Sequence, residues 1–289
     1  MAASLAERRA GSKGPVAEGG GDTERRMPII LKSRREIELM RRAGKVAFDI
    51  LQAMKQAAVP GVRTIDIDEL ARDRMEAVGA RSTSRNYPTY KPGEGYPGYT
   101  CISVNEEVIH GIPGPRTLRE GDIVTLDLAL TYEGFCADTA ITIPIGAVSP
   151  AAARLLEVTR ESLDLAIANI RPDRWWSEIA RLIQGNVERA GFSVVREFVG
   201  HGVGRSMHED PKVPNFVTNE QVQSNFKIRP GMTFAVEPMV VMGRRDVEMM
   251  PDSWTVVTRD GLPAAHFEHT IAVTPDGADI LTDGRPARL

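Results

Sequence analysis

The chain is poor in cysteine, in histidine, in aromatic residues and in net charge, and each shortage removes a class of protein. Its 289 residues include two cysteines, Cys101 and Cys136, so at most one disulfide can form and no disulfide framework holds the fold. Lysine plus arginine (36) nearly balances aspartate plus glutamate (39), and a net charge of -3 gives no basic excess for a DNA-binding role. No apolar stretch approaches the roughly 18 to 20 residues needed to cross a bilayer. The N-terminus also lacks the apolar segment of about 7 to 15 residues that marks a secretory signal. The expectation is a cytoplasmic protein with no membrane partner. What is there, 42% hydrophobic and 26% charged residues, is ordinary for a globular chain long enough to bury a sizeable core.

Residues 1–30 read as a tail, rich in Gly, Ala, Ser and Arg, and residues 31–289 as one folded domain. Up to Arg35 the chain carries eight basic and four acidic residues, a local +4. That charge is compatible with a weak ribosome contact, although a solvated extension is the plainer reading. A capping box, Ser33 with Glu36, then predicts a helix whose apolar face carries Ile37, Met40, Gly44, Ala47, Leu51 and Met54 before Pro60-Gly61 stops it. A second helix, from about Asp66, ends at Gly79. The plan recurs with a helix from about Pro150 to Ile170 and another from about Ser177 to Gly191. The terminal glycines lie 112 residues apart. Likewise GDIVTLD, ending at Asp127, and GMTFAVE, ending at Glu237, are offset by 110. These offsets predict an α+β fold with two pseudo-symmetric helix-helix-sheet halves, each placing a carboxylate on a core strand.

Asp127 lies in the apolar run IVTLDLAL and Asp138 in FCADTAITI, with Glu133-Gly134 between them, a hairpin pattern. With the turn centred near Tyr132 and Glu133, the two aspartates become direct cross-strand neighbours with Cβ atoms about 4.5 to 5.5 Å apart. Two ionised carboxylates so placed need a cation or a shared proton, unless they point to opposite faces or cap loops in water, as most Asp pairs do. Glu237 and Glu268 also interrupt apolar strand-like sequence. A lone buried Glu is more often salt-bridged than metal-bound, but four acids with an imidazole reverse that preference. His201 lies in VGHGVGRSMHEDP, where flanking glycines would let a ligand or metal approach closely. His208 follows seven positions later, a spacing that fits no H-E-x-x-H zinc helix, and Arg205 stands where a dinucleotide loop needs its third glycine. His110 precedes a Gly-Ile-Pro-Gly turn, and His266 and His269 alternate away from Glu268, where packing or supporting roles suit them. A set of four carboxylates and one imidazole favours Mn, Fe, Co, Zn or Mg, and its net charge fits two divalent ions, a site suited to hydrolysis.

Taken in order, NEEVIHGIPG, the Asp127/Asp138 pair, GHGVGRSMHEDP, GMTFAVEPMV and FEHTIAVT resemble the type I methionine aminopeptidases over about residues 33 to 285. Those enzymes have the pita-bread fold, shared with aminopeptidase P and prolidase. The resemblance implies that Asp127, Asp138, His201, Glu237 and Glu268 hold two divalent metal ions (Co, Mn, Fe, Zn or Ni), with Asp138 and Glu268 bridging. It implies that Glu237 also shuttles a proton from water to the leaving amine. His208 would hydrogen-bond the substrate carbonyl oxygen and His110 the scissile amide nitrogen. Tyr96, Cys101, Met207 and Trp254 would line the methionine pocket, whose apolar, polarizable character suits a thioether. Met207 stands where an aromatic ring is usual, Gly93 where a tyrosine is common, and His266 replaces a common glutamine; the segment 82–100 is longer than usual. The implied activity is removal of the initiator methionine from nascent polypeptides with a small second residue, by a monomer. The 31 residues from Glu237 to Glu268 leave no room for the helical insertion of type II enzymes. The alternatives are a proline-directed peptidase of the same fold and a non-catalytic pita-bread binding module.

Overall fold

The computed structural model describes residues 28–88, 95–219 and 225–287. The tail expected over residues 1–30 therefore lies outside the described residues except for its last three positions, and so does Gly93. Helix α1 (Arg34–Ala57) begins at the expected capping box: Ser33 Oγ accepts from Glu36 N–H, and Glu36 accepts from Ser33 N–H at 2.9 Å. Helix α2 (Thr64–Val78) starts two residues earlier than expected, because Asp66 caps from inside by accepting the Arg63 N–H at 3.2 Å. After α3 (Pro150–Asn169), helix α4 (Trp176–Arg189) repeats the device, with Glu178 accepting from Trp175 N–H at 2.8 Å. Asp66 and Glu178 are again 112 positions apart. Gly79 and Gly191 both take left-handed backbone, at φ 73° and 83°, and turn the chain out of each helix.

Between the helix pairs run β1 (Arg81–Ser82), β2 (Cys101–Val104), β3 (Glu107–Ile109), β4 (Ile123–Tyr132) and β5 (Phe135–Pro144). After α4 come β6 (Ser193–Val194), β7 (Gly200–Gly202), β8 (Glu209–Val213), β9 (Thr233–Val236), β10 (Met239–Val241), β11 (Val247–Met249), β12 (Val256–Thr258), β13 (Ala264–His266), β14 (Glu268–Thr274) and β15 (Gly277–Ile280). The main sheet has the order β1-β4-β5-β14-β9-β7-β8, with β2 also on β4 and β15 on β14. Two small sheets, β13-β10-β6 and β11-β12-β3, flank it. Strand alternation then separates core from site. Leu126, Leu128 and Leu130 of β4 pack with Ala47, Leu51 and Met54 of α1 and Ile67 and Ala71 of α2. Phe234 and Val236 of β9 and Ile271 and Val273 of β14 pack with α3 and α4. The intervening residues of the same strands are left to the opposite face. This is the pita-bread fold, an α+β architecture in which two helix-helix-sheet halves share one sheet.

Candidate metal centre and its cleft

The residues expected to carry chemistry line up in two rows across that opposite face. In one row Cys101 pairs with Asp127, Asp127 with Ala140, and Ala140 with Glu268. Val236 pairs with His269, so the same register continued by one residue sets Glu237 opposite Glu268. The neighbouring row holds Ala129 and Asp138, then Thr270 and Ala235, with His201 following because Gly202 pairs with Phe234. Alanines at 129, 140 and 235 leave space among the larger side chains. Within this second row Thr270 Oγ1 ties β14 to β5, accepting from the Asp138 N–H at 3.0 Å and donating to the Asp138 carbonyl at 2.8 Å.

Carboxylate oxygens of Asp127, Asp138 and Glu268 lie within 4.8 Å of one another. His201 Nε2 stands 3.6 Å from Asp138 and 3.7 Å from Glu237. Its Nδ1–H donates to the Gly202 carbonyl at 3.0 Å, which leaves Nε2 with a free lone pair aimed at the acids. Burial, with mutual repulsion, pushes the carboxyls up: Asp127 to about 7, Glu237 to about 8, and Asp138 and Glu268 well above their ordinary range. The imidazole is pushed the other way by burial, His201 to about 4, so it is neutral and ligand-ready. Among the described residues none of the four acids pairs with lysine or arginine, and Asp138 Oδ1 and Glu268 Oε1 are buried without a hydrogen-bond partner. Orphaned carboxylate oxygens facing one another are costly without a cation, and oxygen-rich donors with one imidazole suit a hard or borderline divalent ion. The donor set therefore fits a divalent metal.

Four expectations need correction. The β4–β5 turn centres on Glu133-Gly134, at φ 49° and 80°, with Tyr132 opposite Phe135. Asp127 and Asp138 are thus diagonal, each two positions from direct opposition, and only their side chains converge; the left-handed geometry of a two-residue hairpin selects Glu-Gly over Tyr-Glu. Glu237 is not within a strand: it is the first residue after β9, its carbonyl held by Asn215 Nδ2–H at 2.9 Å. The glycines beside His201 serve strand packing, not ligand access, because a Cβ would sit 2.5 Å from the Ala235 carbonyl at Gly200 and 2.3 Å from that of Asp210 at Gly202. Finally, His269 does turn away, to Thr282 Oγ1 at 2.8 Å, but His266 turns in. Its Nε2 lies 3.9 Å from both Glu237 and Glu268, because the chain changes sheets at Phe267.

Around the acids, the His208 ring lies 4.2 Å from that of His201, and its Nδ1 is 3.0 Å from the Tyr87 hydroxyl. Tyr87 was not legible in sequence as a site residue, since nothing local marks its loop as returning to this cleft. His110 takes left-handed backbone (φ 58°) at the end of β3, and burial, with His208 nearby, lowers it to about 4. Cys101 is a free, buried thiol opposite Asp127. Tyr96 meets Trp254 edge-on at 5.2 Å, and its hydroxyl is committed to the Gly111 carbonyl at 2.8 Å, so only its ring is available to a ligand. Met207 precedes His208, and its sulfur accepts from Thr83 Oγ1 at 3.5 Å beside the cluster of Phe135, Cys136 and Val203.

The pattern of metallopeptidase family M24 matches residues 38–275. The chain is 43% identical to methionine aminopeptidase 1 of Bacillus subtilis, covering 88% of this chain and 99% of that one. It is 44% identical to a methionine aminopeptidase of Clostridium perfringens, covering 88% and 98%. A solved methionine aminopeptidase from Thermotoga maritima superposes with a TM-score of 0.83 at 41% identity, covering 88% and 99%. A prolidase from Pyrococcus furiosus superposes at 0.69 and 20% identity but covers 89% of this chain and only 66% of the prolidase, a likeness of fold alone.

Proposed function

Since the chain belongs to metallopeptidase family M24, we propose that it is a methionyl aminopeptidase that removes the initiator methionine from nascent chains whose second residue is small. Use of a divalent metal follows from that membership and from the carboxylate cluster. In this reading Asp127, Asp138, His201, Glu237 and Glu268 would hold two such ions. The observation that carries it is the convergence of four acids, two buried and two half-buried, and a neutral imidazole without any lysine or arginine counter-charge among the described residues. When bound, such ions supply activation of water at neutral pH and polarisation of the substrate carbonyl.

The protein's own residues do the rest. Glu237, whose carboxyl burial already biases toward holding a proton, accepts one from the attacking water and delivers it to the leaving amine. A Tyr87 hydroxyl donating to His208 Nδ1 leaves Nε2–H as the donor toward the substrate carbonyl oxygen. His110, neutral through burial, faces the scissile nitrogen. The Tyr96 ring, Cys101 and Trp254 form the thioether pocket, with Met207 at the rim. Burial and the adjacent Asp127 keep Cys101 a neutral thiol, in keeping with that apolar role. Among the described residues no helix is long and apolar enough to cross a membrane. A cytoplasmic location, with residues 31–289 as the catalytic unit and the basic tail touching the ribosome, completes the reading.

The test is release of free methionine from Met-Ala-Ser and Met-Lys-Ser, with and without chelator, then with Mn, Co or Fe restored. Cleavage of the first peptide alone, lost on chelation and regained with metal, is expected. Equal turnover of both peptides, or activity that survives metal removal, overturns the reading.

A further inference from the structure

Lys32 immediately precedes the cap of α1, and its surroundings are unusual for a lysine. Its side chain is 4% exposed, and its ammonium pairs with Glu209, itself 10% exposed. The same ammonium donates to the Ile30 carbonyl at 3.1 Å, and the Lys32 backbone N–H donates to the Gly231 carbonyl at 2.7 Å. Lysine and glutamate are seldom buried to this extent, and removing one partner leaves the other as an uncompensated charge.

What the pair holds gives it meaning. Glu209 opens β8 directly after His208, and its other oxygen accepts from the Ser206 N–H at 3.3 Å, clamping the turn that joins β7 to β8. Gly204, in that turn, closes onto the pair: a Cβ there would lie 2.3 Å from Glu209 Oε1 and 2.6 Å from Lys32 Cε. A second tie runs alongside, because Arg205 stacks 4.4 Å from the Phe135 ring and lies 3.6 Å from Glu36 on α1. His208 is itself solvent-exposed, and among the described residues its polar and ring contacts are with the Tyr87 side chain and the His201 ring. The placement of its imidazole therefore depends on the backbone of residues 204–209.

We propose that Lys32 is a positioning residue for His208: by pinning Glu209 it fixes the turn from which the imidazole reaches over the carboxylate cluster. The consequence for turnover rests on the peptidase reading above, whereas the mechanical link does not. The tie also crosses the pseudo-symmetric halves, since Lys32 leads into the first and His208 belongs to the second.

The full-length chain is tested with Lys32→Met, Lys32→Arg, Glu209→Gln, His208→Ala and the double variant Lys32→Met/His208→Ala. Amide hydrogen exchange over residues 203–209 is read beside kcat and KM on Met-Ala-Ser. Lys32→Met is expected to speed exchange across 203–209 by about tenfold, with no change over 123–144. It should lower kcat about tenfold with KM within about twofold, while Lys32→Arg recovers most of both. Lys32→Met should add no further loss in the His208→Ala background. Unchanged exchange, or the same fractional loss with and without His208, overturns the proposal. Should Lys32→Met fail to fold, Glu209→Gln, neutral and nearly isosteric, is judged by the same two readings. If the wild-type chain releases no methionine, the peptidase reading falls and the exchange measurement alone decides the link.

Discussion

Chelating the metal should turn the acid cluster into a liability that grows with pH. Glu237 illustrates the size: burial raises its carboxyl from the ordinary 4.5 to about 8. At about 1.4 kcal/mol per pH unit, full ionisation without a cation would cost the metal-free fold roughly 5 kcal/mol. The sign follows from proton uptake. Between the unfolded and folded values the native state binds the proton and the unfolded state does not, so stability falls as pH rises. Buried histidines act oppositely but in a lower window. His110 and His201, lowered to about 4, and His266, lowered to about 3, make the fold gain stability only up to about the unfolded imidazole value near 6.5. From about pH 6.5 to 8.5 the carboxyls titrate alone, and Glu237 should contribute about 2 kcal/mol of loss there. For a chain of this size that is a fall in Tm of roughly 4 to 8 °C. Thermal unfolding in EDTA across this window, repeated with added Mn, checks it: metal should raise Tm and abolish the fall, and Glu237→Gln should flatten the metal-free slope. A metal-free Tm that is level or rising over that window, or one unaffected by metal, would refute the argument that four uncompensated acids share the site.

His208→Ala should retain its metal, by elemental analysis, yet lose about 100-fold or more in kcat, as removal of one donor to a developing oxyanion does. Tyr87→Phe, which deletes the bond to His208 Nδ1, should cost about fivefold in kcat with metal content unchanged, measured in the same assays. Asp68 of α2 accepts from the backbone of Tyr99 (3.0 Å) and Thr100 (2.7 Å) and from the Thr100 hydroxyl (2.8 Å), bracing the chain between Tyr96 and Cys101. Asp68→Ala should therefore destabilise by about 1 to 3 kcal/mol in urea unfolding and raise KM more than it lowers kcat. Gly44→Ala should destabilise severely, by about 3 kcal/mol or more, because its Cβ would lie 2.0 Å from the Leu281 carbonyl where α1 crosses the C-terminal segment.

Much of this architecture is legible in local sequence. Caps and left-handed glycines are signals a few residues long, which is why α1 begins at Ser33 and why Gly79 and Gly191 mark the repeated plan. The separation of 11 between Asp127 and Asp138 puts them on one face across any two-residue turn, whichever two residues form it, because strand side chains alternate with period two. The order of the acidic and histidine motifs likewise suffices to mark the family.

Partners distant in the chain were decided by the tertiary structure. Register made the aspartates diagonal, set Glu237 beyond its strand and brought Glu268 level with Ala140. The change of sheet at Phe267 turned His266 toward the acids, and the return of a loop put Tyr87 on His208. The pairing of Lys32 with Glu209 spans 177 residues, and nothing near either residue announces it. The physical reason is one of range: caps, turns and alternation act over a few bonds, whereas which charges meet depends on strand order and on two helix pairs packing against one shared sheet.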